Sequence, residues 1–311
     1  MSAPAPAPAG AHDLAGRLRE GSLRLRMGPF VIRIRSELPE LARWLPFLYA
    51  DYPSLEPGGF SDYHVRVDAP STARRWWRPQ VLFRLDDEVP FKPLPRSQAF
   101  PFFEWGLNWC VARHAHDYLV LHAAVVERAG RVLLLPGTPG AGKSTLCAGL
   151  VTRGWRLLSD ELALMHTDTG VIQPLPRPIS LKGASVDVMR RYSPDIEFGP
   201  PCHDTAKGTV VHMRPPRDSV ARALDTAPPA WVLFPRYRAG AEMAVRPCAP
   251  EAALQLLIDN AFNYAVQGAA GFHALCDLVE RCRPASMEYS DLRAACDRIT
   301  AWAGDRVVEI A

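Results

Sequence analysis

The chain has 311 residues, 48% of them hydrophobic and 22% charged, with a net charge of +3. That is the balance of a globular protein with a sizeable core, in one large domain or two. A charge this small makes no case for nucleic-acid binding, and no apolar run approaches the ~20 residues of a membrane-spanning helix.

The opening Ser2-Ala3-Pro4-Ala5-Pro6-Ala7-Pro8-Ala9 lacks the basic-then-apolar order of a signal peptide and predicts a disordered tail over 1–12. A small α+β domain is expected over 13–100. It has a short helix near 14–20, alternating strands at 22–26 and 30–35, a helix over 38–49, and further strands at 63–67 and 81–85. The arginines of these strands could form a basic face, but ordinary solvated strand faces are the favoured reading. Trp76 and Trp77 beside Arg74, Arg75 and Arg78 form an aromatic–basic cluster that could bind a partner or nucleic acid, although such a cluster is more often a loop anchored by its aromatics.

A second domain is expected over 101–311. A helix at 102–116 leads to a strand at 118–127, and Arg128-Ala129-Gly130 turns the chain into the apolar run 131–135. Next comes Gly137-Thr138-Pro139-Gly140-Ala141-Gly142-Lys143-Ser144-Thr145, followed by a helical pattern over 145–151 that ends at Gly154. A strand at 155–159 ends in Asp160-Glu161 and resumes at 162–165. Thr167-Asp168-Thr169-Gly170 signals a turn before a short strand at Val171. The stretch 174–229, rich in Pro, Gly and Asp, predicts long loops over one side of the domain. A strand at 231–234 and helices at 250–266, 271–282 and 290–303 complete the chain. Seven cysteines without a C-x-x-C pair predict reduced thiols in the cytoplasm.

The run from Gly137 to Ser144 fits G-x-x-x-x-G-K-[ST] between a strand and a helix, the context that marks a phosphate-binding loop. Glycines let successive N–H groups turn toward phosphate oxygens, and the helix N-terminus adds partial positive charge. In such a loop Lys143 reaches the β- and γ-phosphates and the Ser144 hydroxyl binds Mg²⁺. Asp160 and Glu161 end the strand after the loop helix, the end of an open α/β sheet where ligands bind. Two carboxylates there can divide the orientation of an attacking hydroxyl and the holding of Mg²⁺. His122 precedes the strand that feeds the loop. It is either a packed histidine or a group near the γ-phosphate, and pairing with Asp160 would tune that carboxylate.

Leu121-His122-Ala123-Ala124-Val125, the Gly137 loop, and Arg153-Gly154-Trp155-Arg156-Leu157-Leu158-Ser159-Asp160-Glu161 resemble, in this order and spacing, the HPr kinase/phosphorylase family. The resemblance is strongest over 118–215 and is nearest to the branch called HPr-related kinase A. It implies a phosphate-loop core similar to that of phosphoenolpyruvate carboxykinase, with a small α+β domain in front and helices behind. It also implies that Asp160 is the base toward a serine hydroxyl, that His122 lies near the phosphate, and that Glu161 stands where the family has a second aspartate. Lys207-Gly208-Thr209-Val210-Val211 falls where the family has Arg-Gly-x-Gly-Ile-Ile. Lys207 then supplies a point charge in place of a bidentate fork, and the second glycine is absent. Arg214 is a nearby candidate for a phosphate contact.

The expected activity is ATP- and Mg²⁺-dependent transfer of the γ-phosphate to a hydroxyl, on a serine of a small protein or peptide. A small-metabolite kinase is the alternative, favoured by a compact pocket walled by 174–229, whereas an open groove favours a peptide. A regulatory ATP-binding or ATPase module is a third reading. Adenine as the base follows from the resemblance, since no N-K-x-D motif is present. Relatives often form hexamers, so a homo-oligomer is a state the resemblance allows.

Overall fold

The computed structural model describes residues 11–70 and 77–304. Helix α1 (Ala11–Glu20) leads into the antiparallel pair β1 (Leu23–Met27) and β2 (Phe30–Arg35). Ala11 and His12, read as tail from the sequence, already belong to this helix. Residues 1–10 lie outside the described residues, as do Arg74, Arg75 and Trp76 of the aromatic–basic cluster. Next come helix α2 (Pro39–Leu48), β3 (Ser54–Leu55), β4 (Tyr63–Asp68), β5 (Gln80–Leu85), β6 (Leu94–Pro95) and helix α3 (Ala99–His114). The six strands form one sheet in the order β3-β1-β2-β4-β5-β6. In β4 the burial alternates strictly, with Tyr63, Val65 and Val67 inward, as the period of two requires. Arg24 departs from the solvated face expected of it. It is buried, and its guanidinium donates to Ser61 Oγ at 3.1 Å and to the carbonyls of Glu56 and Phe60.

The apolar faces of this sheet and of α1 to α3 form one cluster. It continues into Val120, Leu162, Leu164, Leu175 and Val220 of the following region.

The second sheet is built on β7 (Leu119–Arg128) and β8 (Arg131–Pro136), an antiparallel pair. Helix α4 (Lys143–Val151) follows the glycine-rich loop, then β9 (Arg156–Ser159), β10 (Leu162–Met165) and β11 (Ile172–Gln173). Both β9 and β10 pair with the long β7. The first takes its 125–127 end and the second its 119–122 end. Asp160 and Glu161 therefore sit at a break in one edge ladder.

The stretch 174–229 is not a set of long loops. It holds β12 (Ile179–Lys182), α5 (Ala184–Tyr192), β13 (Cys202–Thr205), β14 (Gly208–Met213) and α6 (Arg217–Ala221). The three strands make an antiparallel sheet of their own in the order β12-β14-β13. The prolines fall between these elements, where a missing N–H costs no ladder bond.

The remainder comprises β15 (Pro229–Tyr237), β16 (Ala244–Pro247), α7 (Pro250–Asp259), α8 (Tyr264–Cys282), β17 (Ala285–Tyr289) and α9 (Leu292–Gly304). Strands β8, β15 and β17 run parallel at the centre of a mixed sheet ordered β11-β10-β7-β8-β15-β17-β16. Helices α4 and α9 cover one face through Leu146, Leu150, Cys296 and Ile299. Helices α7 and α8 cover the other through Leu257, Leu275 and Leu278. The helix expected over 250–266 is broken before α8 because Asn263 is used elsewhere. Its buried amide accepts from Val120 N at 2.9 Å and donates to Tyr118 O at 2.8 Å, closing the backbone of β7. Among the described residues no helix is long and apolar enough to cross a membrane, and all seven cysteines are free thiols.

Candidate functional site

The loop 137–142 joins the end of β8 to the start of α4. Gly140 and Gly142 have φ of 88° and 92°, the left-handed region open to glycine. At Gly142 space is also closed, since a Cβ would lie 2.2 Å from the Tyr289 hydroxyl oxygen. That hydroxyl donates to Gly142 O at 3.2 Å, so β17 braces the loop from behind. Lys143, the first residue of α4, is buried. Its ammonium folds back onto the loop, donating to Gly137 O and, at 3.1 Å, to Thr138 O. Burial pushes the Lys143 pKa down to about 8, against the opposing pull of Asp160 and Glu161.

Asp160 is buried beside α4. Its Oδ2 accepts the Ser180 N–H at 2.9 Å. Its Oδ1 is buried without a hydrogen-bond partner among the described residues. The Ser144 hydroxyl is close enough to favour the ionised form. Burial, and then the charge of Glu161, nevertheless raise the Asp160 pKa to about 6. Glu161 is differently placed. Lys182 Nζ lies 3.1 Å from its Oε1, and Asn108 Nδ2 of α3 donates to its Oε2 at 2.5 Å. Burial alone would raise the Glu161 pKa, but the Lys182 ammonium outweighs it and holds the carboxyl below its ordinary value.

His122 lies opposite Leu162 on β7 and is half-buried, its ring 5.7 Å from that of Phe262. Burial and then the Lys143 ammonium push its pKa down to about 4, with Glu161 opposing. It is a neutral imidazole facing Lys143 and Glu161, and among the described residues no hydrogen bond joins its ring to Asp160. Lys207 is exposed at the turn between β13 and β14, and its charge is felt at both Lys143 and His122. Arg214 does not join the group. It is held by Asp51 at 2.7 Å and Glu197 at 3.7 Å, above the Phe47 ring.

Asp160 and Glu161 also line a cavity of about 450 Å³, within the range of small-molecule sites. One wall is α3, with Phe102, Trp105 and Asn108. The other is the three-stranded sheet, with Lys182, Lys207 and Val210. The two walls are tied together. Gln98 Nε2 donates to Asp204 O at 2.8 Å, and Arg177 Nη2 donates to Glu104 Oε2 at 2.8 Å. Helix α3, which the sequence places at the start of the second domain, packs in the cluster of the leading sheet and so brings that region to the wall of the site.

Asn108, Lys182, Glu104 and Arg177 were not apparent as site residues from the sequence. Each comes from an element remote from the loop, without a spacing that marks it. The alternation of Ile179 to Lys182, two inward and two half-exposed, was the one local signal for Lys182.

The Ser144 hydroxyl and the Asp160 carboxylate are neighbouring hard oxygen groups, and oxygen donors of this kind suit Mg²⁺. That ion is typically held by one or two carboxylates together with phosphates. Among the described residues no group of three or more His, Cys, Asp or Glu stands together; Mg²⁺ ordinarily completes its shell with waters and phosphate oxygens. A scan against protein-family models and a search among curated proteins found no match to this chain.

Proposed function

We propose that this protein is an ATP- and Mg²⁺-dependent kinase that transfers the γ-phosphate to a hydroxyl, on the phosphate-loop core of the HPr-kinase-like class. The observation that carries this reading is the meeting of three groups at the loop: Lys143, Ser144, and a buried Asp160 with one free oxygen that also lines a cavity. The loop amides from Gly137 to Thr145 and the Lys143 ammonium bind the phosphates. Asp160, ionised above about pH 6, accepts the proton of a hydroxyl presented from the cavity. Neutral His122 and exposed Lys207 flank the transferred group. Mg²⁺, when bound, would neutralise charge on the phosphates, and Ser144 with Glu161 would hold it. Lys182 and Asn108 fix Glu161 for that task. Catalysis by such a site is mostly positioning and electrostatics.

The acceptor expected from the sequence resemblance is a serine of a small protein or peptide. A second reading, a small-metabolite acceptor, is favoured by a specific observation. The cavity is compact, walled by 175–212 and closed on its other side by α3. A cavity of this size is of the range that small molecules occupy.

The test uses γ-labelled ATP, Mg²⁺ and a cell extract separated into protein and small-molecule fractions. Label on either fraction that disappears with Asp160→Asn supports the kinase reading, and the fraction identifies the acceptor class. Release of free phosphate alone supports a regulatory ATPase instead.

A further inference from the structure

The two sides of the phosphate loop differ. The central sheet runs β10-β7-β8-β15-β17, so the acidic pair lies on the β7 side of the loop strand and β15 on the opposite side. Strands β8 and β15 are parallel and both end at the loop. If the kinase reading above holds, a triphosphate lies along 137–145 with its γ end at Asp160. Its sugar and base then leave the loop on the β15 side.

The residue waiting there is Tyr237, the last of β15. Its backbone N–H donates to Ala141 O at 3.1 Å, which fastens it to the loop. Its Cβ lies 3.2 Å from the position a Cβ on Gly142 would take. The ring meets the buried Tyr289 at 5.8 Å with an interplanar angle of 70°, and Tyr289 is itself bonded to Gly142 O. Tyr237 is nonetheless 49% exposed. An aromatic ring fastened at its backbone, steadied on one side and open on the other is a stacking surface. The flanking Arg236 and Arg238 are exposed, and both reach Glu288, Arg238 at 2.8 Å.

We propose that Tyr237 is the platform on which the base of the bound nucleotide stacks. Stacking reads the π-face of a base and adds affinity without contact to the phosphates.

The experiment is calorimetric titration of the full chain with MgATP and, separately, with magnesium tripolyphosphate. The variants are Tyr237→Ala, Tyr237→Phe and Lys143→Ala. The expected result is that Tyr237→Ala weakens MgATP by about 5-fold or more and leaves tripolyphosphate within about 2-fold. Tyr237→Phe keeps the wild-type affinity for MgATP, and Lys143→Ala loses both ligands. Equal weakening of both ligands by Tyr237→Ala would overturn the proposal, because Tyr237 would then act only by supporting Ala141 and Gly142. Unchanged MgATP affinity would overturn it as well. If the wild-type chain binds neither ligand, the phosphate-loop reading itself fails and takes this inference with it. Tripolyphosphate bound as tightly as MgATP by the wild type sinks the inference alone.

Discussion

Arg177 donates from one nitrogen, Nη2, to both the carboxylate and the backbone carbonyl of Glu104, at 2.8 and 2.9 Å, with both side chains buried. Tyr49 donates to the other carboxylate oxygen at 2.5 Å. The pair joins α3 to the segment entering β12, so it fixes the distance between the two walls of the cavity. Removing Glu104 leaves a buried guanidinium whose Nε and Nη1 already lack partners among the described residues. Glu104→Ala is expected to cost about 3–5 kcal/mol of stability, read as a lower midpoint in chemical denaturation. The double change Glu104→Met with Arg177→Met should recover most of that loss, since no buried charge remains. A single-variant loss below ~1 kcal/mol, the scale of a surface pair, would show that the pair is solvated.

Asp160 and Lys143 set an expected pH profile. With the Asp160 pKa raised to about 6 by burial and then by Glu161, kcat/KM rises as pH passes that value and the base ionises. With the Lys143 pKa lowered to about 8 by burial, kcat/KM falls as its charge is lost above that value. His122, at about 4, adds no limb between. A bell with limbs near these two values checks the assignment. A rising limb that survives in residual Asp160→Asn activity counts against Asp160 as the base.

The same buried carboxylate lowers stability. A folded-state pKa above the unfolded value means that folding favours the protonated form. The cost is absent below about pH 4, the ordinary carboxylate range, and is complete once pH passes about 6. It is on the order of 3 kcal/mol. Asp160→Asn in the nucleotide-free chain should therefore melt higher than wild type at pH 7.5 and no higher below pH 4, while phosphoryl transfer is lost. A variant that melts lower at pH 7.5 would show that the Ser180 and Ser144 contacts outweigh desolvation.

Gly106 packs the middle of α3 against β5. A Cβ there would lie 2.1 to 2.5 Å from three carbons of the Phe83 ring, and Phe83 is fully buried. Gly106→Ala gains helix propensity of up to about 1 kcal/mol but must displace that ring, an overpacking cost of about 1–3 kcal/mol. A net loss of thermal stability is expected, with a partial rescue by Phe83→Leu. An unchanged melting temperature in the single variant would show that α3 can shift outward freely.

The phosphate-loop pattern was legible because its chemistry is local. Gly137, Gly140, Gly142, Lys143 and Ser144 must be neighbours in sequence to act together, and Asp160 with Glu161 follows at the end of a recognisable strand. What surrounds them was not legible. Asn108 meets Glu161 across 53 residues and Arg177 meets Glu104 across 73, and no spacing rule reaches that far. In the stretch 174–229 prolines and glycines mask four- and six-residue strands, so its composition points to loops. Strand β17, in which Ala285, Met287 and Tyr289 alternate inward, is a period of two hidden between helical patterns. For His122 the sequence leaves a packed histidine and a group near the phosphates both open, and the structure places it opposite Leu162, within the electrostatic reach of Lys143 and Glu161.

The hydrophobic cluster under the leading sheet extends from Leu14 through Val111 to Leu162, Leu164, Leu175 and Val220. On the ribosome this has a cost in time. Strands β1 to β6 and their helices are complete long before residue 175 has emerged, so their apolar face stays open meanwhile. At roughly 5–20 residues per second, making the ~60 residues between the end of α3 and Leu175 takes on the order of several seconds. Such an interval exposes unpaired apolar surface to aggregation or to chaperones. The contact that brings the leading sheet and its helices up to the cavity wall thus also makes their folding wait for the core that follows.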